Sequence, residues 1–172
     1  SKTLSDFLRR ITSAAHWSLK NNFSGWKGRE FAGSLSALAK ISLLPIKVEK
    51  KCFCDLVELL TQYGIQDGLA FNSQAIANSL WALAKMRETK GLEFKSSTVS
   101  FIVQLLGQAR SVIENFNSQE IVNSLWALAK MRETEGLEFN SSTASFTEQL
   151  LKQAGSVMKN FNPQGIANLL WA

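Results

Sequence analysis

With 172 residues, 45% of them hydrophobic and 19% charged, the chain can bury a substantial core and lacks the composition of a disordered protein. Nineteen Lys and Arg against fourteen Asp and Glu give a net charge of +5, which permits an anionic partner without requiring one. One His and two Cys exclude the four-cysteine and the two-cysteine, two-histidine zinc sites as well as a disulfide framework, so no metal or other cofactor is expected.

A block of sixteen residues, Phe71 to Met86, returns with two substitutions at Phe116 to Met131. A third copy starts at Phe161, and a degenerate one runs from Trp26 to Ile41, so the period is 45 residues throughout. The expected divisions are a partial unit at 1–25, a degenerate repeat at 26–70, full repeats at 71–115 and 116–160, and a truncated repeat at 161–172, all in one domain. Both ends break off in mid-pattern, as in a piece of a longer array, and exposed end units offer a route to self-association.

In chain order, Leu4, Leu8, Ile11 and Ala15 have helical spacing and read as the last helix of a half unit. The degenerate repeat supplies a first helix from Trp26 and a second over residues 52–64. Cys52 and Cys54 lie two apart on that helix and diverge by about 200°, which suits packing rather than chelation. In the regular units the first helix has strong start signals. Asn72, Asn117 and Asn162 occupy the N-cap, Pro163 stands at the first helical position, and Asn117 with Glu120 has capping-box spacing. Phe71/Ile76, Phe116/Ile121 and Phe161/Ile166 fit a hydrophobic staple. Ile76, Ala77, Leu80, Leu83 and Ala84 share the core face, and Gly91 ends the helix. A second helix begins near Ser97 and carries Phe101, Leu105, Ala109 and Val112, matched by Phe146, Leu150, Ala154 and Val157. Residues 71–115 and 116–160 share 34 of 45 positions. Differences at Val99/Ala144, Val103/Glu148, Gly107/Lys152, Arg110/Gly155 and Glu114/Lys159 recur every three or four residues and mark the solvent side of that helix.

Two helices per unit cannot bury both apolar faces alone, so neighbouring units must stack; the expected fold is all-α, an α-solenoid of antiparallel helix pairs. On a wheel at about 100° per residue, the side of the first helix opposite the core carries Asn78, Ala82 and Lys85, flanked by Gln74 and Ala75. Stacking would align Asn78, Asn123 and Asn168 in one row and Lys40, Lys85 and Lys130 in another, with small Ala82 and Ala127 admitting an extended ligand. The competing view leaves the asparagines satisfying neighbouring units and the lysines solvated. Trp81, Trp126 and Trp171 fall between core and groove and read mainly as packing between units. Residues 1–51 hold ten basic and three acidic residues, the remainder nine and eleven, so the regular repeats are not basic and an RNA ligand must rely on the lysine row and the N-terminal units.

The Phe-Asn-x-Gln-x-Ile-x-Asn-x-Leu-Trp-Ala-Leu-Ala block resembles the octotricopeptide repeat family, well over 71–172 and weakly over 26–70. The resemblance implies single-stranded RNA binding along the first helices, carried here by Gln74, Asn78, Lys85, Gln119, Asn123, Lys130, Gln164 and Asn168, with Lys40 extending the cation row. A similar block occurs in repeat proteins of unknown function from intracellular bacteria, which implies an effector acting in a host cell. The asparagine rows flanked by tryptophan also resemble the peptide-binding groove of armadillo-type repeats, so a protein or peptide partner is the alternative. Val99, Ile102 and Val103 on the outer side of one second helix would suit such a partner.

No catalysis is expected, because the one histidine, His16, lacks a supporting motif. Glu88, Glu93, Glu133 and Glu138 recur in the loops between helices and are expected to pair with Arg87 and Arg132. No segment reaches 18 apolar residues and the first residues do not form a signal peptide, so neither membrane insertion nor export is expected and the chain reads as soluble and intracellular.

Overall fold

The computed structural model describes residues 6–7, 10–11, 13–14, 26–43, 50–66, 68–90, 93–132 and 141–171; among these the chain is helical and contains no strand. The helices are α1 (Gly28–Leu43), α2 (Lys50–Gln66), α3 (Ser73–Lys90), α4 (Ser96–Ala109), α5 (Ser118–Met131), α6 (Ser141–Ser156) and α7 (Pro163–Trp171). Short 3-10 helices follow α4 at Arg110–Asn115 and α6 at Met158–Asn160, so Val112, expected on the second helix, sits in the tighter turn after it. Leu4, Leu8, Ala15, His16, Gly91, Glu133 and Glu138, and the Cys52 side chain, lie outside the described residues. Ile11 is helical, with 36% of its surface exposed.

The first helix of each unit packs on the first helix of the next, α1 on α3, α3 on α5 and α5 on α7. The second helices do the same, α2 on α4 and α4 on α6, and each first helix also meets the second helix of its own unit where the pairs α1/α2, α3/α4 and α5/α6 touch. One apolar core runs through these contacts, from Phe31 and Leu35 through Ile76, Leu80 and Leu83 to Ile121, Phe146 and Leu150.

The start signals work as the spacing requires. Asn117 accepts the Glu120 N–H at 3.0 Å while the Glu120 carboxylate accepts the Asn117 N–H at 3.1 Å, a complete capping box. Asn72 caps α3 through the Ala75 N–H at 2.8 Å, and Asn162 caps α7 through Gly165 at 2.6 Å. The phenylalanines ahead of these caps also reach the second helix. Phe71 meets Phe101 edge-on at 5.7 Å, and Phe116 meets Phe146 at 6.1 Å. Phe31 of the preceding unit joins the first pair, 5.5 Å from Phe101. Gly64 of α2 lets this cluster close, because a Cβ there would stand 2.6 Å from the Phe101 ring.

Two glutamines tie each second helix to the linker that leads into its partner. The Gln108 side chain accepts the Phe71 N–H at 2.9 Å and donates to the Leu69 carbonyl at 2.8 Å. One period later Gln153 donates to the Glu114 and Phe116 carbonyls at 3.0 and 3.2 Å. Neither glutamine belongs to a local sequence motif, because its partners lie 37 and 39 positions away.

The outer side of the second helices is as expected at Val103, Gly107, Arg110 and Glu114 and at Glu148, Lys152, Gly155 and Lys159, all exposed. Ile102 departs from the expectation of an outward position: it is fully buried, while its neighbour Val103 is 44% exposed.

Candidate functional site

Because α3 has a first helix on each side and α4 behind it, only a narrow strip of its surface reaches solvent. Among the described side chains of α3 the strip comprises Gln74, Asn78, Trp81, Lys85 and Glu88, spaced by four and three residues along one line of the helix, with half-buried Arg87 beside it. On α5 the same line carries Gln119, Asn123, Trp126 and Lys130, and on α7 the exposed Gln164 and Asn168. On α1 it carries Arg29, Gly33, Ser36 and Lys40. Every candidate residue from the sequence therefore falls on this line, exposed or half-buried.

Two features differ from the wheel. Ala75, Ala82 and Ala127 do not line the strip; they are buried, because a helix flanked on both sides buries residues on three sides rather than one. Trp81 and Trp126 lie on the strip itself, half-buried, with one part against the core and one part toward solvent.

At the α3/α5 junction the side chains form a specific constellation. Glu88 accepts from the Lys85 ammonium at 2.8 Å through one carboxylate oxygen and lies 2.9 Å from the Lys130 ammonium through the other. Both ammonium groups stand over the Trp126 ring, 5.3 and 5.8 Å from its centre. Hydrogen bonds from Lys130 and then Lys85 hold the Glu88 carboxyl below its usual pKa, so it carries full charge at neutral pH. The expected pairing of Glu88 with Arg87 is not formed. Arg87 instead donates to the Lys130 carbonyl at 2.8 Å, a second link from α3 to α5. Nearer the helix starts, the Gln119 amide donates to Asn123 at 2.9 Å. Among the described residues no protein group hydrogen-bonds the half-buried Asn78 amide.

Cations thus gather toward the C-terminal halves of the first helices: Lys40, Lys85, Arg87, Lys130 and Arg132, with Glu88 as the carboxylate among them on the strip. Trp126 contributes both packing and a cation-binding face. Trp126→Ala is expected to lower stability by about 2–4 kcal/mol, below the cost for a fully buried aromatic because part of the ring is already hydrated. Equilibrium denaturation checks this, and an unchanged midpoint would remove Trp126 from the packing between α3 and α5.

Segments of the chain, residues 69–80, 104–125 and 157–170, match a family described as a protein of unknown function (DUF1601). Comparison with curated proteins and with solved structures finds no match. Among the described residues no helix is long and apolar enough to cross a membrane.

Proposed function

We propose that the chain is a non-catalytic binding module, an α-solenoid whose first-helix strip holds single-stranded RNA. One observation carries this reading. Between the two full repeats the exposed positions Val103, Gly107, Arg110 and Glu114 on the back change to Glu148, Lys152, Gly155 and Lys159, although exposed Ser111 and Asn115 recur there as Ser156 and Asn160, whereas the strip positions Gln74, Asn78, Trp81 and Lys85 all recur unaltered as Gln119, Asn123, Trp126 and Lys130. Both sets have had the same time to diverge since duplication, and a concentration of the exposed changes on the back is what a partner held on the strip would leave. Its content of cations, half-exposed indoles and amides suits a strand with phosphates on one side and bases on the other. Identical groups in successive units further fit recognition of the repeating backbone more than a sequence code.

A second reading, a protein or peptide partner, is favoured by the Asn78 amide, which has unused donors and an acceptor that match a peptide group as well as a base. Fluorescence anisotropy with a random single-stranded RNA pool at two salt concentrations separates the two. The expected result is salt-sensitive binding that weakens in the Lys85→Gln/Lys130→Gln variant, with the slope of log affinity against log salt shallower by about 0.7 per lost phosphate contact. An absence of binding at low salt would reject the RNA reading and leave the peptide-binding one.

A further inference from the structure

Resting on the RNA reading, we infer that Lys85, Lys130 and Trp126 form a phosphate subsite between two units, and that the Glu88 carboxylate occupies it until a phosphodiester displaces it. The geometry of the three charges is the basis. Glu88 presents two oxygens sharing one negative charge, and each is taken by an ammonium from a different helix, at 2.8 and 2.9 Å. A phosphodiester likewise presents two non-bridging oxygens sharing one charge, so it can bridge the same pair of ammonium groups. The Trp126 ring beneath both ammonium groups, at 5.3 and 5.8 Å, keeps them side by side whichever anion is present.

Exchange is feasible because the constellation is accessible: the side chains of Lys85, Lys130 and Glu88 are 26–27% and 35% exposed. A carboxylate on a flexible side chain can swing away into water, and the incoming phosphate restores the contacts it leaves. The preceding junction provides an internal contrast. There Leu43 takes the position of Glu88 one period earlier, so no carboxylate occupies that register beside Lys40. The α1 end of the strip therefore lacks a carboxylate in that register, whereas the α3/α5 junction is closed by one, with Lys85 the ammonium common to both junctions. The net consequence is that Glu88 opposes RNA binding while joining α3 to α5.

The test compares wild-type chain, Glu88→Gln and Asp55→Asn in RNA anisotropy titrations, with thermal melting of each. Glutamine keeps the shape and an acceptor for one lysine but removes the competing charge. Asp55, 3.7 Å from Lys95 and on α2 rather than on the strip, makes the same change in net charge elsewhere. Glu88→Gln is expected to bind RNA about fivefold tighter at low salt, the Coulomb scale for removing a unit charge about 4 Å away in a water-like medium. Its salt slope should steepen by about 0.7, one added phosphate contact. Asp55→Asn should match wild type. Wild-type binding with no gain in Glu88→Gln would overturn the subsite and leave the RNA reading standing. An equal gain in both variants would reduce the effect to net charge and overturn it too. If neither wild type nor Glu88→Gln binds RNA, the RNA reading fails and the subsite with it.

Discussion

Phe101→Ala is expected to lower the stability of the chain by about 3–5 kcal/mol, the largest effect of any single substitution considered. The side chain is fully buried and touches elements from two units. Its ring lies 5.5 Å from Phe31 of α1 and 5.7 Å from Phe71 ahead of α3, and against the bare backbone of Gly64 on α2. Truncation removes the transfer energy of the ring, two aromatic contacts worth about 0.5–1.5 kcal/mol each, and the filling of a space that α2 cannot collapse into without moving as a whole. Phe146, its counterpart one period on, meets the Phe116 ring at 6.1 Å, and alanine there should cost less. Urea titration of both variants checks the order; a smaller midpoint shift for Phe101→Ala than for Phe146→Ala would show that the aromatic cluster is not the joint between the first two units.

How much of this was legible in the sequence depends on the range of the interactions. Helix starts are local: Asn117 and Glu120 are three residues apart and a capping box needs nothing beyond them, so the start of α5 was readable. The buried face of the first helix was also readable, because Ile76, Leu80 and Leu83 repeat at helical spacing. The width of that face was not. A wheel assumes one core direction, whereas α3 lies between α1 and α5 and carries small Ala75 and Ala82 where its neighbours approach. Trp81 consequently moved onto the solvent strip, and the alanines moved off it. Glu88 shows the same limit for charges: Arg87 is adjacent in sequence, but the carboxylate reaches Lys130, 42 positions away and brought close by the stacking of α5 on α3. Val99, Ile102 and Val103 read together as an outer face, yet Ile102 is fully buried and Val99 packs against the core, because neighbouring second helices lie against α4.

The glutamine joints carry the second large prediction. Gln108 meets a linker N–H and a carbonyl 37 and 39 positions away, at 2.9 and 2.8 Å, and closes both with one planar amide. Gln108→Ala leaves the Phe71 N–H and the Leu69 carbonyl without these bonds in a part-buried position, a loss of about 1–3 kcal/mol. Gln153→Ala removes two bonds to the linker before α5 and should cost a similar amount. The two sites share no hydrogen-bond partner, so the double variant should lose close to the sum, about 2–6 kcal/mol. Gln108→Glu sharpens the test, because a carboxylate can accept from Phe71 but faces the Leu69 carbonyl with an oxygen in place of a donor. It should be at least as destabilising as alanine if the bidentate contact is what matters. Amide hydrogen exchange at Phe71 reads the Gln108 joint, with Phe116, whose N–H donates to the Ile113 carbonyl, as the reference: Gln108→Ala should speed exchange at Phe71 more than at Phe116, and equal acceleration at both would mean that the glutamine acts through global unfolding rather than by fixing its own linker.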